Sequence, residues 1–121
     1  MSIRRKTIAV IDKDAGTRIA MIKLLSAFGF AAETYESATA YLDTIASSDA
    51  SCLVVDVQLG DISGVELARQ LAADGVHHPI IFTATDNDLV REQAERVGAA
   101  ACLTKPFPGQ LLIEAIIKAW G

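Results

Sequence analysis

Four polar residues follow or end short apolar runs, and together they could do chemistry: Asp12, Asp56, Thr83 and Lys105. Asp56 is the clearest case, because the apolar residues 52–55 before it predict a buried strand and a turn-forming stretch follows it. Ligands of open α/β sheets bind at the carboxyl ends of the strands, so we expect these side chains to meet at one edge. Two carboxylates, a hydroxyl and an ammonium there suit metal-assisted phosphoryl transfer, in which a carboxylate is the nucleophile and becomes an aspartyl phosphate.

The elements that would position these residues are strand-like and helix-like patterns that alternate five times. Apolar or β-favouring runs predict strands at residues 8–11, 31–35, 52–56, 79–83 and 100–103. Helical spacing of apolar residues predicts helices within 21–28, 38–45, 64–72, from about Asn87 to 97, and 108–119. Such repeated strand–helix units predict an α/β fold with a doubly wound parallel sheet and helices on both of its faces.

Local signals predict several helix ends. Asp14 and Ser37 are candidate N-caps, Gly29 ends the first helix, and Pro108 suits the first turn of the last one. The spacing of the first helix also places Phe28 on its core-facing side.

The composition limits the classes of protein that fit. A chain of 121 residues with 51% hydrophobic and 21% charged residues predicts one folded domain, residues 1–121. A net charge of −4 argues against a nucleic-acid surface within these residues. No apolar run approaches the roughly 20 residues that span a bilayer, and none forms an export signal, so we expect a cytoplasmic protein.

The cysteines and histidines predict no metal site. Cys52 and Cys102 lie in separate predicted strands, and we interpret them as free, buried apolar residues. His77 and His78 are adjacent in a predicted loop and lack a third ligand, so we expect them to be solvated.

Five short motifs follow one another along the chain in a specific order and spacing: Asp12, Asp56, Ser63-Gly64, Thr83-Ala84 and Lys105-Pro106-Phe107. Through them, and over essentially its whole length, the chain resembles a response-regulator receiver domain, the phospho-acceptor module of two-component signalling. The resemblance implies a flavodoxin-like sheet of five parallel strands in the order 2-1-3-4-5.

The resemblance also implies roles for individual residues. Asp56 would be the phospho-acceptor, and Thr83, Ala84 and Lys105 would bind the phosphoryl group and respond to it. A Mg²⁺ ion would be held by Asp12, Asp56 and the backbone carbonyl of Gln58. The side chains of Gln58 and Thr85 would tune the lifetime of the phosphoryl group.

The resemblance implies partners as well. A histidine kinase or phosphotransfer protein would supply the phosphoryl group in a phosphorelay, and the protein would not be a dedicated enzyme. The surface of helix 4, strand 5 and helix 5 would then bind an output domain, another partner or a second copy. The sequence leaves open whether an output domain follows Gly121.

Lys13 departs from the family pattern, which usually has a second, metal-binding acid at this position. The usual three acids and one lysine carry −2, whereas Asp12 and Asp56 with Lys13 and Lys105 sum to zero. If the ammonium stays in place, the change costs a bound dication about 4 kcal/mol, roughly a thousandfold in affinity. Lysine could also extend into solvent and avoid much of that penalty. Asp14 could replace the missing ligand, but we favour an N-cap role for it.

Three further positions bear on the site. Cys102 stands where the family usually carries an aromatic residue that moves with the switch hydroxyl. Gly60 replaces a usual proline, which widens the conformations open to that loop. We interpret Asp61 as a solvated turn acid.

Two hypotheses for the function therefore stay open, with a third disfavoured. The first is a receiver phosphorylated on Asp56. The second is a phosphorylation-independent pseudo-receiver, a protein-interaction module in which the Lys13 ammonium pairs with Asp56 or Asp12 and replaces the metal. An unrelated α/β enzyme is disfavoured, because the chain has no Gly-rich phosphate loop, nucleophile elbow or Cys/His pair.

Overall fold

The computed structural model describes residues 6–85 and 88–120, leaving out the side chains of residues 88–90. The strands are β1 (Thr7–Ile11), β2 (Ala31–Tyr35), β3 (Cys52–Asp56), β4 (Ile80–Ala84) and β5 (Ala101–Thr104). The helices are α1 (Ala15–Ala27), α2 (Ala38–Thr44), α3 (Gly64–Ala73), α4 (Asp88–Arg96) and α5 (Gly109–Trp120), with a 3₁₀ turn at Ile45–Ser47 after α2. The predicted start of the fourth helix, Asn87, lies outside the described residues.

The strands form one parallel sheet in the order β2-β1-β3-β4-β5, which confirms the predicted topology. The register pairs Ile11 with Val55, and it pairs Asp56 with Thr83. The carboxyl ends of the central strands are therefore level with one another, and the residues that end them share one edge.

The central strand β3 is buried throughout, because helices cover both faces of the sheet. Leu53 and Val55 belong to the core cluster that includes α2 and α3 residues, whereas Cys52 and Val54 belong to the cluster that includes α1 and α5 residues. Both sets of alternating side chains are thus apolar. A strand that is buried on both faces has a continuous run of apolar residues rather than an alternation of apolar and polar ones.

Three side-chain caps fix the helices that begin at this edge. Asp14, Ser37 and Ser63 each accept a hydrogen bond from a backbone N–H in the first turn of the helix they precede. Such caps are typically worth about 1 kcal/mol each. The two predicted N-caps, Asp14 and Ser37, are confirmed.

Some element boundaries differ from the predictions. Phe28 is 54% exposed instead of facing the core. It is the C-cap of α1, so it no longer continues the helical face. β4 and β5 each lie one residue later than predicted. α5 begins at Gly109, directly after Pro108, whose carbonyl accepts a hydrogen bond from the Leu111 N–H at 3.0 Å.

Gly64 gives a first test of how tightly α3 packs against the end of β3. A Cβ atom at this position would lie 2.7 Å from the carbonyl oxygen of Asp56 and 3.0 Å from Cγ1 of Val55. Because the backbone must shift to admit it, we expect Gly64→Ala to lower the free energy of unfolding by about 1–3 kcal/mol in urea denaturation.

Gly16→Ala is the matched control for this substitution. A Cβ atom there would meet only the Asp14 carboxylate, at 3.4 Å, and the position lies in the first turn of α1. Helix propensity then predicts a neutral or slightly stabilising effect of up to about 1 kcal/mol. Equal effects at the two glycines would contradict the tight contact.

Candidate functional site

The Lys105 ammonium bridges two carboxylates at the carboxyl edge of the sheet. Its Nζ lies 2.8 Å from Oδ2 of Asp56 and 3.2 Å from Oδ2 of Asp12. Asp56 ends β3, while Asp12 and Lys105 directly follow β1 and β5. Because β4 separates β5 from β3, the lysine side chain must cross the end of β4 to reach both acids. Three predicted site residues thus meet in one cluster.

The second oxygen of each carboxylate is held by the backbone. Oδ1 of Asp12 accepts a hydrogen bond of 2.8 Å from the N–H of Asp14, and Oδ1 of Asp56 accepts one of 2.9 Å from the N–H of Gln58. Each acid thus closes a local turn through one oxygen and meets Lys105 through the other. This arrangement fixes the orientation of both carboxylates.

Burial makes the lysine necessary to the charge balance of the cluster. Asp12 is 2% exposed and Asp56 is 9% exposed. Burial of the ammonium by itself lowers the pKa of Lys105, but its hydrogen bond with Asp56 and the charges of Asp56 and Asp12 outweigh that effect and raise the pKa overall. The lysine is therefore charged at neutral pH, and the cluster carries a net charge of −1.

The end of β4 lies beside this cluster. Thr83 is 1% exposed and pairs in register with Asp56, and its carbonyl accepts a hydrogen bond of 3.0 Å from the N–H of Val57. The carbonyl of Ala84 accepts a 2.7 Å hydrogen bond from the N–H of Lys105. The two β4 residues therefore hold the backbone on both sides of the Asp56–Lys105 ion pair.

Lys13 does not join the cluster. Its side chain is exposed, and across residues 6–85 and 88–120 it forms no ion pair. Of the two hypotheses for Lys13, the one in which its ammonium pairs with Asp56 or Asp12 does not hold in this structure, and the one in which it extends into solvent does. An exposed ammonium keeps its hydration, whereas pairing beside buried acids would cost desolvation energy.

Asp14 caps α1, as we favoured. Its Oδ2 accepts hydrogen bonds from the Thr17 N–H at 2.8 Å and the Thr17 hydroxyl at 2.7 Å. The side-chain and backbone hydrogen bonds of Thr17 lower the pKa of the Asp14 carboxyl. The Asp14 carboxylate therefore caps α1 and does not join the cluster of Asp12, Asp56 and Lys105.

The loop between β3 and α3 makes a long-range contact that sequence reasoning missed. Oδ2 of Asp61 accepts hydrogen bonds from the Thr39 N–H at 2.9 Å and the Thr39 hydroxyl at 2.7 Å. These bonds lower the pKa of Asp61 well below its ordinary range. Asp61 is exposed on this loop, as expected of a solvated turn acid, but its contact with Thr39 was not predicted, because no local pattern links two residues that are 22 positions apart.

Of the remaining predicted residues, only Gln58 and Thr85 lie at this edge; His77 and His78 precede β4, Cys52 begins β3, and Cys102 lies within β5. Gln58 and Thr85 have exposed side chains, on the loops that follow β3 and β4. His77 and His78 are exposed, as expected. Both cysteines are free; Cys52 is buried and Cys102 is partly buried. Within the described part of the chain, no group of three or more His, Cys, Asp or Glu side chains is arranged to hold a metal ion.

The donor set still fits a hard divalent cation. Two carboxylates, on Asp12 and Asp56, lie together at the site, and Gln58 lies on the loop that follows β3 directly. Mg²⁺ is commonly held by one or two carboxylates together with water and phosphate oxygens. The cluster charge of −1 attracts such an ion less strongly than the family's usual −2.

A family model named response regulator receiver domain matches residues 8–117. The transcriptional regulatory protein FixJ of Azorhizobium caulinodans is 36% identical over 113 residues, which are 93% of this chain and 54% of that protein. The response regulator protein TodT of Pseudomonas putida is 33% identical over 120 residues, covering 98% of this chain and 53% of that protein. The chain thus spans about half the length of these relatives.

Solved structures show the same fold. The crystal structure of FixJ-N matches with a TM-score of 0.88 and 29% identity, over 97% of this chain and 94% of that one. The structure of the response regulator StyR matches with a TM-score of 0.85 and 34% identity, over 96% of this chain and 59% of that one.

In the part of the chain that the structure describes, no helix combines the length and apolar character that a membrane span requires.

The ion pairs of Lys105 predict a pH-dependent contribution to stability. In the presence of a chelator, we expect Lys105→Met to lower the free energy of unfolding at pH 7 by about 1–3 kcal/mol, because two buried carboxylates lose their cation. The lysine side chain is 28% exposed, so the expected loss of stability is smaller than for a fully buried ion pair. Since the pKa of Lys105 is raised in the folded state, the stabilisation is complete below pH 10.5 and is lost as the pH rises through the folded-state value.

Denaturation of wild type and variant between pH 7 and pH 11 measures this difference. Lys23→Met removes an exposed lysine of α1 and serves as the control. If the free energies of unfolding of wild type and Lys105→Met differ by the same amount up to pH 11, the ion pairs of Lys105 are not the source of that difference.

Proposed function

This chain belongs to the response-regulator receiver domain family, and on that basis we propose that it accepts a phosphoryl group on Asp56. The observation that carries the proposal is the bridge from the Lys105 ammonium to the carboxylates of Asp56 and Asp12. A cation already placed on the acceptor carboxylate is suited to bind the oxygens of an incoming phosphoryl group.

The proposed reaction is a transfer from the phosphohistidine of a histidine kinase or phosphotransfer protein. An oxygen of the Asp56 carboxylate attacks phosphorus and forms an acyl phosphate, while the phosphorus–nitrogen bond breaks and its electron pair returns to the imidazole. Lys105 binds the transferred oxygens, and Thr83 and Ala84 contact them at the end of β4. When bound, Mg²⁺ would neutralise phosphoryl charge, held by Asp12, Asp56 and the Gln58 carbonyl.

We further propose that these residues form one receiver domain, residues 1–121, of a longer cytoplasmic regulator. The support is that the chain spans about half of FixJ and TodT, which are transcriptional and response regulators. Phosphorylation would bias the α4–β5–α5 surface toward an output domain or a second copy. In this scheme the protein is a signalling component rather than a dedicated enzyme, and the side chains of Gln58 and Thr85 tune the lifetime of the acyl phosphate.

The second candidate is a phosphorylation-independent interaction module, favoured by one observation. Lys13 stands where the family usually has a metal-binding acid. Its exposed position makes this candidate weaker, because a solvated ammonium leaves the −1 cluster accessible to a cation.

Modification of Asp56 separates the two candidates. On incubation with Mg²⁺ and an acyl phosphate or a beryllofluoride salt, we expect wild type to be modified at a single residue, and Asp56→Ala to remain unmodified. Intact mass and peptide mapping check the acyl phosphate, and Asp43→Ala, which removes an exposed acid of α2, should behave as wild type. Unmodified wild type under saturating Mg²⁺ would favour the interaction module.

Lys13→Asp measures the electrostatic cost of the lysine. A dication about 4 Å from a unit charge gains or loses about 2 kcal/mol in water-like screening, so a two-unit change is worth at most about 4 kcal/mol. Because the ammonium is solvated, we expect a smaller change, with Mg²⁺ binding about ten- to a hundredfold tighter in Lys13→Asp. Mg²⁺ titration followed by thermal unfolding reports this affinity, and Lys13→Met should fall between the two. An unchanged affinity would show that position 13 does not influence the metal.

A further inference from the structure

The loop between Asp56 and α3 includes Gln58, whose carbonyl is the proposed cation ligand. It also includes Gly60, whose backbone can adopt more conformations than that of other residue types. Gly60 has a φ of +92°, in the left-handed region that favours glycine, and a Cβ atom there would meet nothing within 4 Å. Glycine restricts the backbone least of all residues, so the loop needs contacts elsewhere to keep one conformation.

The base of the loop is fixed by the sheet and by α3. The Val57 N–H donates to the Thr83 carbonyl, and the Gly64 N–H donates to the Val57 carbonyl at 2.8 Å. Leu59 is 3% exposed and belongs to the core cluster. These contacts hold the Val57 backbone, the Leu59 side chain and the start of α3, and none of them is made by the Gln58 carbonyl.

The tip of the loop is held from α2 through the Asp61–Thr39 contact. Asp61 lies directly after Gly60, and its carboxylate accepts hydrogen bonds from both the N–H and the hydroxyl of Thr39. The flanking α2 residues Ala38 and Tyr41 are 0% and 1% exposed, so Thr39 sits on a well-anchored helix. The lowered pKa of Asp61 agrees with a charged acceptor at neutral pH.

We propose that Asp61 is a positioning residue for the phosphorylation site, which holds the β3–α3 loop through Thr39 and so keeps the Gln58 backbone placed for the cation. The inference rests on the proposed function. The hydrogen bonds between the Asp61 carboxylate and Thr39 thereby restrain a loop in which Gly60 leaves the backbone conformation free. In this scheme Asp61 would be neither the acceptor nor a ligand of the cation.

Two measurements on four variants test this role. The variants are Asp61→Ala, Asp61→Asn, Thr39→Val and the control Asp43→Ala. The measurements are the Mg²⁺ concentration that gives half the maximal rate of Asp56 modification by an acyl phosphate, and hydrogen exchange of the amides of residues 57–63.

We expect Asp61→Ala to raise the half-saturating Mg²⁺ concentration about three- to tenfold and to speed exchange in the loop. Thr39→Val, which keeps the side-chain shape but removes the hydroxyl, should give a smaller change of the same sign. Asp61→Asn should recover most of the wild-type behaviour, because its carbonyl oxygen can accept both hydrogen bonds although the charge is lost.

The asparagine variant separates positioning from charge. If Asp61→Asn were as impaired as Asp61→Ala, the effect would be loss of a negative charge, and the proposal would be overturned. It would equally be overturned if Asp61→Ala lowered only the melting temperature and left Mg²⁺ dependence and loop exchange as in Asp43→Ala. Wild type that is never modified would refute the proposed function instead, and unchanged loop exchange in Asp61→Ala would then still refute the positioning role.

Discussion

The arrangement of the whole edge depends on one electrostatic constraint: two buried carboxylates on neighbouring strands need a cation between them. Asp12 and Asp56 are almost fully buried, and the Lys105 ammonium reaches both. Removing the ammonium would leave both acids uncompensated, at a cost of about 1–3 kcal/mol. The strand order, the register of Asp56 with Thr83 and the course of the chain after β5 all serve to bring that ammonium to the acids.

Much of this could be predicted from the sequence, because the signals are local or periodic. The apolar run before Asp56 identified a strand buried on both faces, and the residues Asp14 and Ser37 identified helix starts through their capping chemistry. The strand order came from the family resemblance rather than from any pattern in the residues. Phe28 shows the limit of periodicity, since helical spacing does not reveal that the helix has already ended.

The parts that could not be predicted are contacts between distant residues and the directions of long side chains. Nothing local relates Asp61 to Thr39, because the pairing exists only once α2 and the β3–α3 loop are packed together. Lys13 was a candidate for pairing with the acids, but Lys105 is the lysine that reaches both of them. Their different positions follow from the balance between hydration of an ammonium and its attraction to buried charge, and that balance depends on the surrounding backbone.

The position of β5 in the sheet has a mechanical consequence. β5 is the last strand in the order, paired with β4 along one side, and Lys105 follows it directly. In the proposed function, an ammonium that leaves a carboxylate oxygen for a phosphoryl oxygen would pull on the end of a strand that has a sheet neighbour on only one side. A lysine following β3 would pull on a strand held from both sides. The ion that balances the charge of the site is thus attached to the border of the sheet, where a displacement of the strand would disturb main-chain hydrogen bonds on one side only.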